Sequence, residues 1–297
     1  MTATDDHAER FTLLRPLLFT IAYEILGSAT DADDVLQESY LRWAGVDLAT
    51  VRDSKAYLAQ LVTRQALNTV RGQVRRREDY VGPWLPEPLL VDDRDGAADV
   101  VLAESVSVAM LVVLETLSPD ERAVFVLREV FGFSHDDIAS AIGKSAVTVR
   151  QMAHRARAHV HARRRRYTPV DARESERITT EFLIAAVTGD LNELISMLAP
   201  DVVFTADSDG KASAARRPVR GAEKVARLLI GLMTRAGSEY RLELTTYNGA
   251  PAMIAYRHDQ PDSVFTIEVS GGRISHFYVI RNPAKLTSVT IARRITR

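Results

Sequence analysis

The apolar residues of this chain keep two different periods, and that limits what it can fold into. From Phe11 to about Val160 they recur at three- and four-residue spacing; Leu14, Leu17, Leu18, Ile21, Ala22 and Ile25 form one such stripe. From Tyr240 to Ile280 they alternate instead, in runs over 240–247, 252–257, 263–269 and 273–280, with Gly271-Gly272 marking a hairpin. A helical period does not sit as a strand, so at least two architectures are needed. Segments 175–187, 191–198 and 222–234 predict helices and 202–206 a further strand, which makes the second part an α+β domain with a curved antiparallel sheet.

Two interruptions divide the chain further. Pro83, Pro86 and Pro88 fall within a stretch rich in acids, where fixed φ and missing donors preclude a helix. Tyr167-Thr168-Pro169 marks a second boundary. The expected organisation is multidomain: two all-α domains at 1–78 and 105–167, a linker at 79–104, and the α+β domain at 168–297. Trp84 and Leu85 are unusually apolar for a solvated tether, which suggests that the linker docks on another surface.

The charge of −1 hides a strong segregation. Residues 54–77 hold six basic and no acidic side chains, and residues 138–170 hold eight and none. Each follows an acidic block, and each ends in an arginine cluster, Arg75–Arg77 and Arg163–Arg166. A single run of charge is usually a solvated face. Two acid-free runs with this ending suit a phosphate backbone.

The second basic run coincides with a recognisable motif. Ser134 can cap a short helix, Gly143 can supply a turn, and Ser145 can cap the helix that follows. This is the anatomy of a helix-turn-helix, although any αα-hairpin shares the glycine turn. The second helix is acid-free and carries Thr148, Arg150, Gln151, His154, Arg155 and Arg157, a face able to meet phosphates and base edges.

Several classes are excluded. The chain contains no cysteine, so it has no disulfide, Cys-ligated zinc site, iron–sulfur cluster or thiol sensor. Neither a P-loop nor a GxGxxG is present, and no cofactor or metal is expected. Apolar runs such as Val106–Leu114 are far shorter than the ~20 residues that span a bilayer. The first residues lack an apolar signal core, so a cytoplasmic location is expected.

The first 165 residues resemble the two-domain bacterial sigma factors of the extracytoplasmic-function class. Asp34, Gln37, Glu38 and Leu41 lie at i, i+3, i+4 and i+7 and resemble the acidic helix face with which these factors grip the β′ clamp helices of core RNA polymerase. The helix from about Ser54 to Arg77 resembles the element that opens and reads the −10 promoter DNA. Arg64, Arg71, Arg75, Arg76 and Arg77 would meet phosphates, and Gln65 and Asn68 would reach bases. The helix-turn-helix, with Ser145, Thr148, Arg150, Gln151, His154, Arg155 and Arg157, resembles the −35-reading domain, which in the family also meets the β flap.

The remainder resembles the subgroup of that class with a fused C-terminal SnoaL-like domain, a cone of helices on a curved sheet related to nuclear transport factor 2. Its marks are Trp84-Leu85-Pro86-Glu87-Pro88, Asp209-Gly210 and Asn282-Pro283-Ala284-Lys285-Leu286, where the family usually has Asp in place of Ala284. The resemblance implies a sigma factor that directs promoter-specific initiation, regulated in cis by the C-terminal domain through Trp84–Pro88 and Asn282–Leu286. It implies no catalysis. A small-molecule ligand in the cone is a further expectation. Two alternatives stay open. One is an enzyme using Asp207, Asp209, His258 or His276 in the cone. The other is a ligand-responsive helix-turn-helix regulator that acts without polymerase, which leaves the acidic Asp34–Leu41 face unexplained. The tail after Leu286, with Arg293, Arg294 and Arg297, reads as either mobile or inhibitory.

Overall fold

The computed structural model describes residues 3–92, 100–164, 172–188 and 190–297. The first three helices, α1 (Ala3–Leu26), α2 (Ala29–Trp43) and α3 (Ser54–Glu78), form a bundle. Its centre is built from Leu18, Ile21, Ile25, Leu36, Trp43, Leu58 and Leu67, all buried. Gly27 ends α1 in the left-handed region, at φ 69°. Ser28 then caps α2, its hydroxyl accepting the Asp31 amide at 3.1 Å. Pro16 lies inside α1, and the Thr20 hydroxyl donates to its carbonyl at 2.7 Å.

The linker enters as an extended segment in which Leu85 through Leu89 are buried, and it leads to α4 (Val100–Ser105) and α5 (Val108–Leu114). Next comes α6 (Pro119–Phe125), started by a capping box between Ser118 and Glu121. A π-helical turn over Val126–Val130 follows, then α7 (His135–Ile142) and α8 (Ala146–Arg164). Sequence periodicity reads the two helical units as separate, but among the described residues they share one continuous apolar cluster. It runs from Phe11 through Val70 and on from Leu102 to Val160.

The C-terminal unit opens with α9 (Ala172–Thr188) and α10 (Leu191–Met197), followed by β1 (Leu198–Asp207), β2 (Val219–Arg220) and α11 (Ala222–Ala236). Strands β3 (Tyr240–Tyr247), β4 (Ala250–Arg257), β5 (Gln260–Ser270) and β6 (Arg273–Ile280) then form the meander, and α12 (Pro283–Leu286) follows it. The sheet order is β2-β1-β6-β5-β4-β3, with β1 parallel to β6 and the other pairs antiparallel. Register shifts after Ala255 and Glu268 bend the sheet. On one face Phe204, Phe277 and Val279 pack with Phe182 of α9 and Leu229 of α11. On the other, Ile254, Val264, Tyr278 and Ile280 pack with Leu85 of the linker, Val108 of α5, and Leu286 and Val289 beyond the sheet. The cone expected from the sequence is thus present, and its outer face is glued to the linker.

Candidate nucleic-acid and interdomain surfaces

On α2 the four residues Asp34, Gln37, Glu38 and Leu41 are all exposed, while Val35, Leu36 and Ser39 between them are buried. The helix therefore offers one acidic outward face with an apolar end, Leu41 being 65% exposed. Glu38 accepts Arg42 Nε at 3.0 Å.

On α3, Arg64, Asn68 and Arg71 point outward and Gln65 is half-buried against Arg42. Both arginines are held by the second helical unit. Arg64 donates to the carbonyls of Ser140 at 2.6 Å and Ala141 at 3.2 Å, at the C-terminal end of α7 where a cation is favoured. Arg71 pairs with Asp120 at 2.7 Å, and Lys144 reaches the same carboxylate at 3.2 Å. The side chains of Arg75, Arg76 and Arg77 lie outside those described.

The helix-turn-helix has the expected geometry. Gly143 sits at φ 69° and closes α7, its amide and that of Lys144 both donating to the Ala139 carbonyl. The Ser145 hydroxyl accepts the Thr148 amide at 3.1 Å and starts α8. Val149, Met152, Ala153, Ala156 and Val160 are buried, which leaves Arg150, Gln151, His154, Arg155 and Arg157 exposed on the opposite face. Arg155 lies 3.5 Å from Glu121, and Arg157 makes a bidentate pair with Glu129. Val147, 60% exposed at the start of α8, is an addition to the residues read from sequence.

The linker motif and the Asn282–Leu286 segment meet at Asp207. That carboxylate is fully buried at the end of β1. It accepts the Leu85 amide at 2.8 Å, the Lys285 ammonium at 2.7 Å and the Tyr80 hydroxyl. Lys285 also donates to the Leu85 carbonyl and sits 4.1 Å above the Trp84 ring. Asn282 donates to Tyr80 at 2.8 Å. Burial and the neighbouring carboxylate hold the Tyr80 hydroxyl protonated, far above its ordinary range. Nearby, Asp209 accepts the Val81 amide at 3.3 Å, and its pKa is lowered chiefly by Lys211. Gly210 packs on the Val81 side chain.

Glu87 faces the opposite way, toward the first bundle. Its carboxylate accepts from the Ser28 hydroxyl at 2.9 Å, the Thr30 amide at 3.1 Å, the Thr30 hydroxyl at 2.9 Å and the Ser288 hydroxyl at 2.7 Å. It is therefore an anion seated on the N-terminus of α2, the helix with the exposed acidic face. The Glu87 amide donates to Gly27 O at 2.8 Å, and Trp84 packs over Gly27.

Asn248 and Tyr23 of this junction were not singled out from sequence. Asn248, in the β3–β4 turn at φ 56°, donates to the Tyr23 hydroxyl at 2.6 Å and the Val106 carbonyl at 2.8 Å, and accepts the Leu89 amide at 3.0 Å. Tyr23 in turn donates to the Glu87 carbonyl at 2.8 Å. One turn of the sheet thus touches the first bundle, the linker and the second helical unit. The sequence signal was only Asn-Gly between two strands, which reads as a hairpin. Of the two readings of the tail, mobile or inhibitory, its docking removes the first: Arg293 pairs with Asp33 at 3.0 Å, and its backbone bridges to Val91.

Two family models match the chain, sigma-70 region 2 over residues 11–76 and sigma-70, region 4 over residues 107–160. The ECF RNA polymerase sigma factor SigJ of Mycobacterium tuberculosis is 37% identical, across 96% of this chain and 94% of its own. The chain belongs to the ECF RNA polymerase sigma factors. A probable ECF sigma factor of the same organism, SigI, is 29% identical across 92% of each chain. The crystal structure of the extracytoplasmic function sigma factor SigJ matches this sigma factor with a TM-score of 0.76 at 35% identity, covering 94% of this chain and 98% of that one. That likeness takes in the C-terminal domain as well as both helical units. Membership makes this chain a promoter-specificity subunit of RNA polymerase, with promoter DNA as its other partner. Among the described residues no helix is long and apolar enough to cross a membrane.

Proposed function

We propose that this sigma factor is held in a closed, polymerase-incompetent state by its own C-terminal domain. In the open state, Asp34, Gln37, Glu38 and Leu41 would grip the β′ clamp helices and the region-4 unit the β flap. The α3 residues Arg64, Gln65, Asn68 and Arg71, with Arg75, Arg76 and Arg77, would read and open the −10 element. The α8 residues from Ser145 to Arg157 would read the −35 element. Phosphate contacts supply affinity here and a few base contacts supply specificity. The work takes place in the cytoplasm, where polymerase and promoters are.

The observation that carries the closed-state reading is the engagement of Arg64 and Arg71 by α7 and Asp120. The two promoter elements lie about 25 base pairs apart, or roughly 85 Å along the duplex at 3.4 Å per pair. With α3 held against α6 and α7, the unit that carries α8, the two readers cannot serve both elements at once. Trp84–Pro88, Asp207, Asn248 and Asn282–Leu286 hold this arrangement from outside. The C-terminal domain acts by contact, not by catalysis. Asp207 is consumed by the junction, Asp209 by the linker amide, His258 lies in the β4–β5 turn, and His276 stacks on Tyr278 on the outer face.

The test is transcription in vitro with core polymerase, comparing the full chain with one ending at about Arg166. Higher activity of the shorter chain is expected, and equal or lower activity would overturn the closed-state reading. Asp34→Ala with Gln37→Ala is expected to weaken core binding; unchanged binding would overturn the α2 assignment.

A further inference from the structure

The cone encloses a cavity of about 490 Å³ between α11 and the inner face of the sheet, within the size range of small-molecule sites. Its walls are apolar, from Phe204, Leu232, Met253, Phe265 and Val279. A smaller, almost wholly apolar pocket shares Leu232, Met233, Met253 and Phe265 with it and extends that apolar surface toward Phe182 and Phe277. The charged groups on its walls are Arg235, Arg257, Arg281 and Asp262, so the lining has two positive charges in excess. Arg281 is only 21% exposed, pairs with Asp262 at 2.8 Å, and has its Nε buried without a partner among the described residues. Arg257 reaches Glu239 at 3.0 Å from the other side.

We propose that this cavity binds an organic carboxylate with an apolar body of drug-like size, and that the bound anion biases the closed state. The apolar walls take the body. The excess of guanidinium groups, with Arg235 and Arg257 at the exposed rim, selects an anion over a neutral or cationic isostere. The link to the junction is covalent and short. The Arg281 amide donates to the Asp207 carbonyl at 2.7 Å, its guanidinium donates to the Ser213 carbonyl at 2.5 Å, and Asn282 is the next residue. A ligand that draws Arg281 away from Asp262 therefore pulls on both strands whose ends make the Asp207 junction. This coupling, though not the binding site, rests on the closed-state reading.

The experiment titrates 2-naphthoate and octanoate into the full-length protein by calorimetry, each beside its alcohol, 2-naphthalenemethanol or 1-octanol. At least one carboxylate is expected to saturate one site per chain and to bind tenfold or more tighter than its alcohol. Arg235→Gln with Arg257→Gln, at the exposed rim, should bring that ratio close to one. Ala255→Phe, which fills the cavity, should abolish binding. No saturable carboxylate binding, or equal affinity for acid and alcohol, overturns the site. Coupling is read separately, as a threefold or larger change in transcription in vitro at saturating carboxylate that Lys285→Met no longer shows. If binding fails while Lys285→Met still alters transcription, the cavity proposal falls and the closed state stands. If binding holds while transcription ignores both the carboxylate and Lys285→Met, it is the coupling and the closed state that fall.

Discussion

Replacing Lys285 with Met is the sharpest perturbation of the closed state. The Lys285–Asp207 pair is buried, with side-chain exposures of 11% and 0%, so removing the ammonium leaves a carboxylate with no counter-charge in a dry site. Breaking one half of a buried pair typically costs about 3–5 kcal/mol. The Leu85 amide and Tyr80 hydroxyl still donate to Asp207, and Met keeps the apolar stem over Trp84, so the low end, about 3 kcal/mol, is the appropriate figure. At about 1.4 kcal/mol per factor of ten, that is roughly a hundredfold shift from closed toward open. Full-length Lys285→Met should therefore transcribe more strongly than wild type from a cognate promoter at equal concentration, with unchanged far-ultraviolet circular dichroism. Asp207→Asn in the same chain supplies the control. Asn can accept the Leu85 amide with its one oxygen and turn its Nδ2 to donate to the Tyr80 hydroxyl oxygen, without needing a counter-charge, so the double variant should recover a large part of the lost stability in urea unfolding. Two results would refute the reasoning. One is a single variant indistinguishable from wild type in both midpoint and transcription. The other is a double variant as impaired as the two singles combined.

Other expectations follow from the same junction. Asn248→Gly keeps the left-handed turn and removes only the bridging amide, so it should loosen the contact of the sheet with Tyr23, Leu89 and Val106 by about 1–3 kcal/mol, read as faster hydrogen exchange at Leu89. Gly27→Ala should destabilise by more than an ordinary surface change, because a Cβ there comes 2.7 Å from the Trp84 ring at φ 69°; thermal melting checks it. Burial raises the Glu24 carboxyl from 4.5 to about 8. The folded chain then holds a proton that the unfolded chain releases, so this group's contribution to stability falls as pH rises from about 5 to 8 and is flat above that. Glu24→Gln, which keeps a partner for Ser105, should flatten that slope in urea midpoints measured across the window.

The fold was legible where a local rule decides. The Ser134 and Ser145 caps, the Gly143 turn, and strands β3 and β6 follow from capping geometry and from alternation, and they lie where the sequence puts them. The outward faces of α2 and α8 were legible for the same reason: helical spacing separates Val35 and Leu36 from Asp34 and Gln37, and Val149 and Met152 from Arg150 and Gln151. What one-dimensional pattern does not carry is which surface meets which. Trp84 and Leu85 were too apolar for a tether, but nothing in their neighbourhood names Asp207, more than 120 positions away. Asp207 itself is open by sequence to a catalytic reading as well as to that of an edge or satisfied polar residue, until its partners are seen. Asn248 is ordinary turn chemistry by sequence, and its role comes from the side chain reaching three other segments.

The arrangement of α2 explains how one helix can serve both states. Its N-terminal turn is occupied by Glu87, through Ser28 and Thr30, and by Arg293, through Asp33. Its outward face, from Asp34 to Leu41, is left free of those contacts along the next two turns. Glu87 satisfies one orphan amide, that of Thr30, which a helix start must satisfy somehow, with Ser28 already bonding the Asp31 amide. Release of the linker would therefore cost α2 one cap and not its fold. The closed state can thus be left without unfolding the α2 face proposed above to grip polymerase. The strong contacts gathered at the ends of elements, at Asp207, Asn248 and Glu87, suit a clasp between folded units rather than a shared core. The exception is the continuous apolar cluster joining α1 to α6, where Glu24 and Arg122 are buried together and Arg122 donates to the Glu24 carbonyl at 2.7 Å. Opening has to expose that cluster. The free energy to do so has to come from polymerase and DNA contacts, so loosening the clasp lowers the threshold at which those partners succeed.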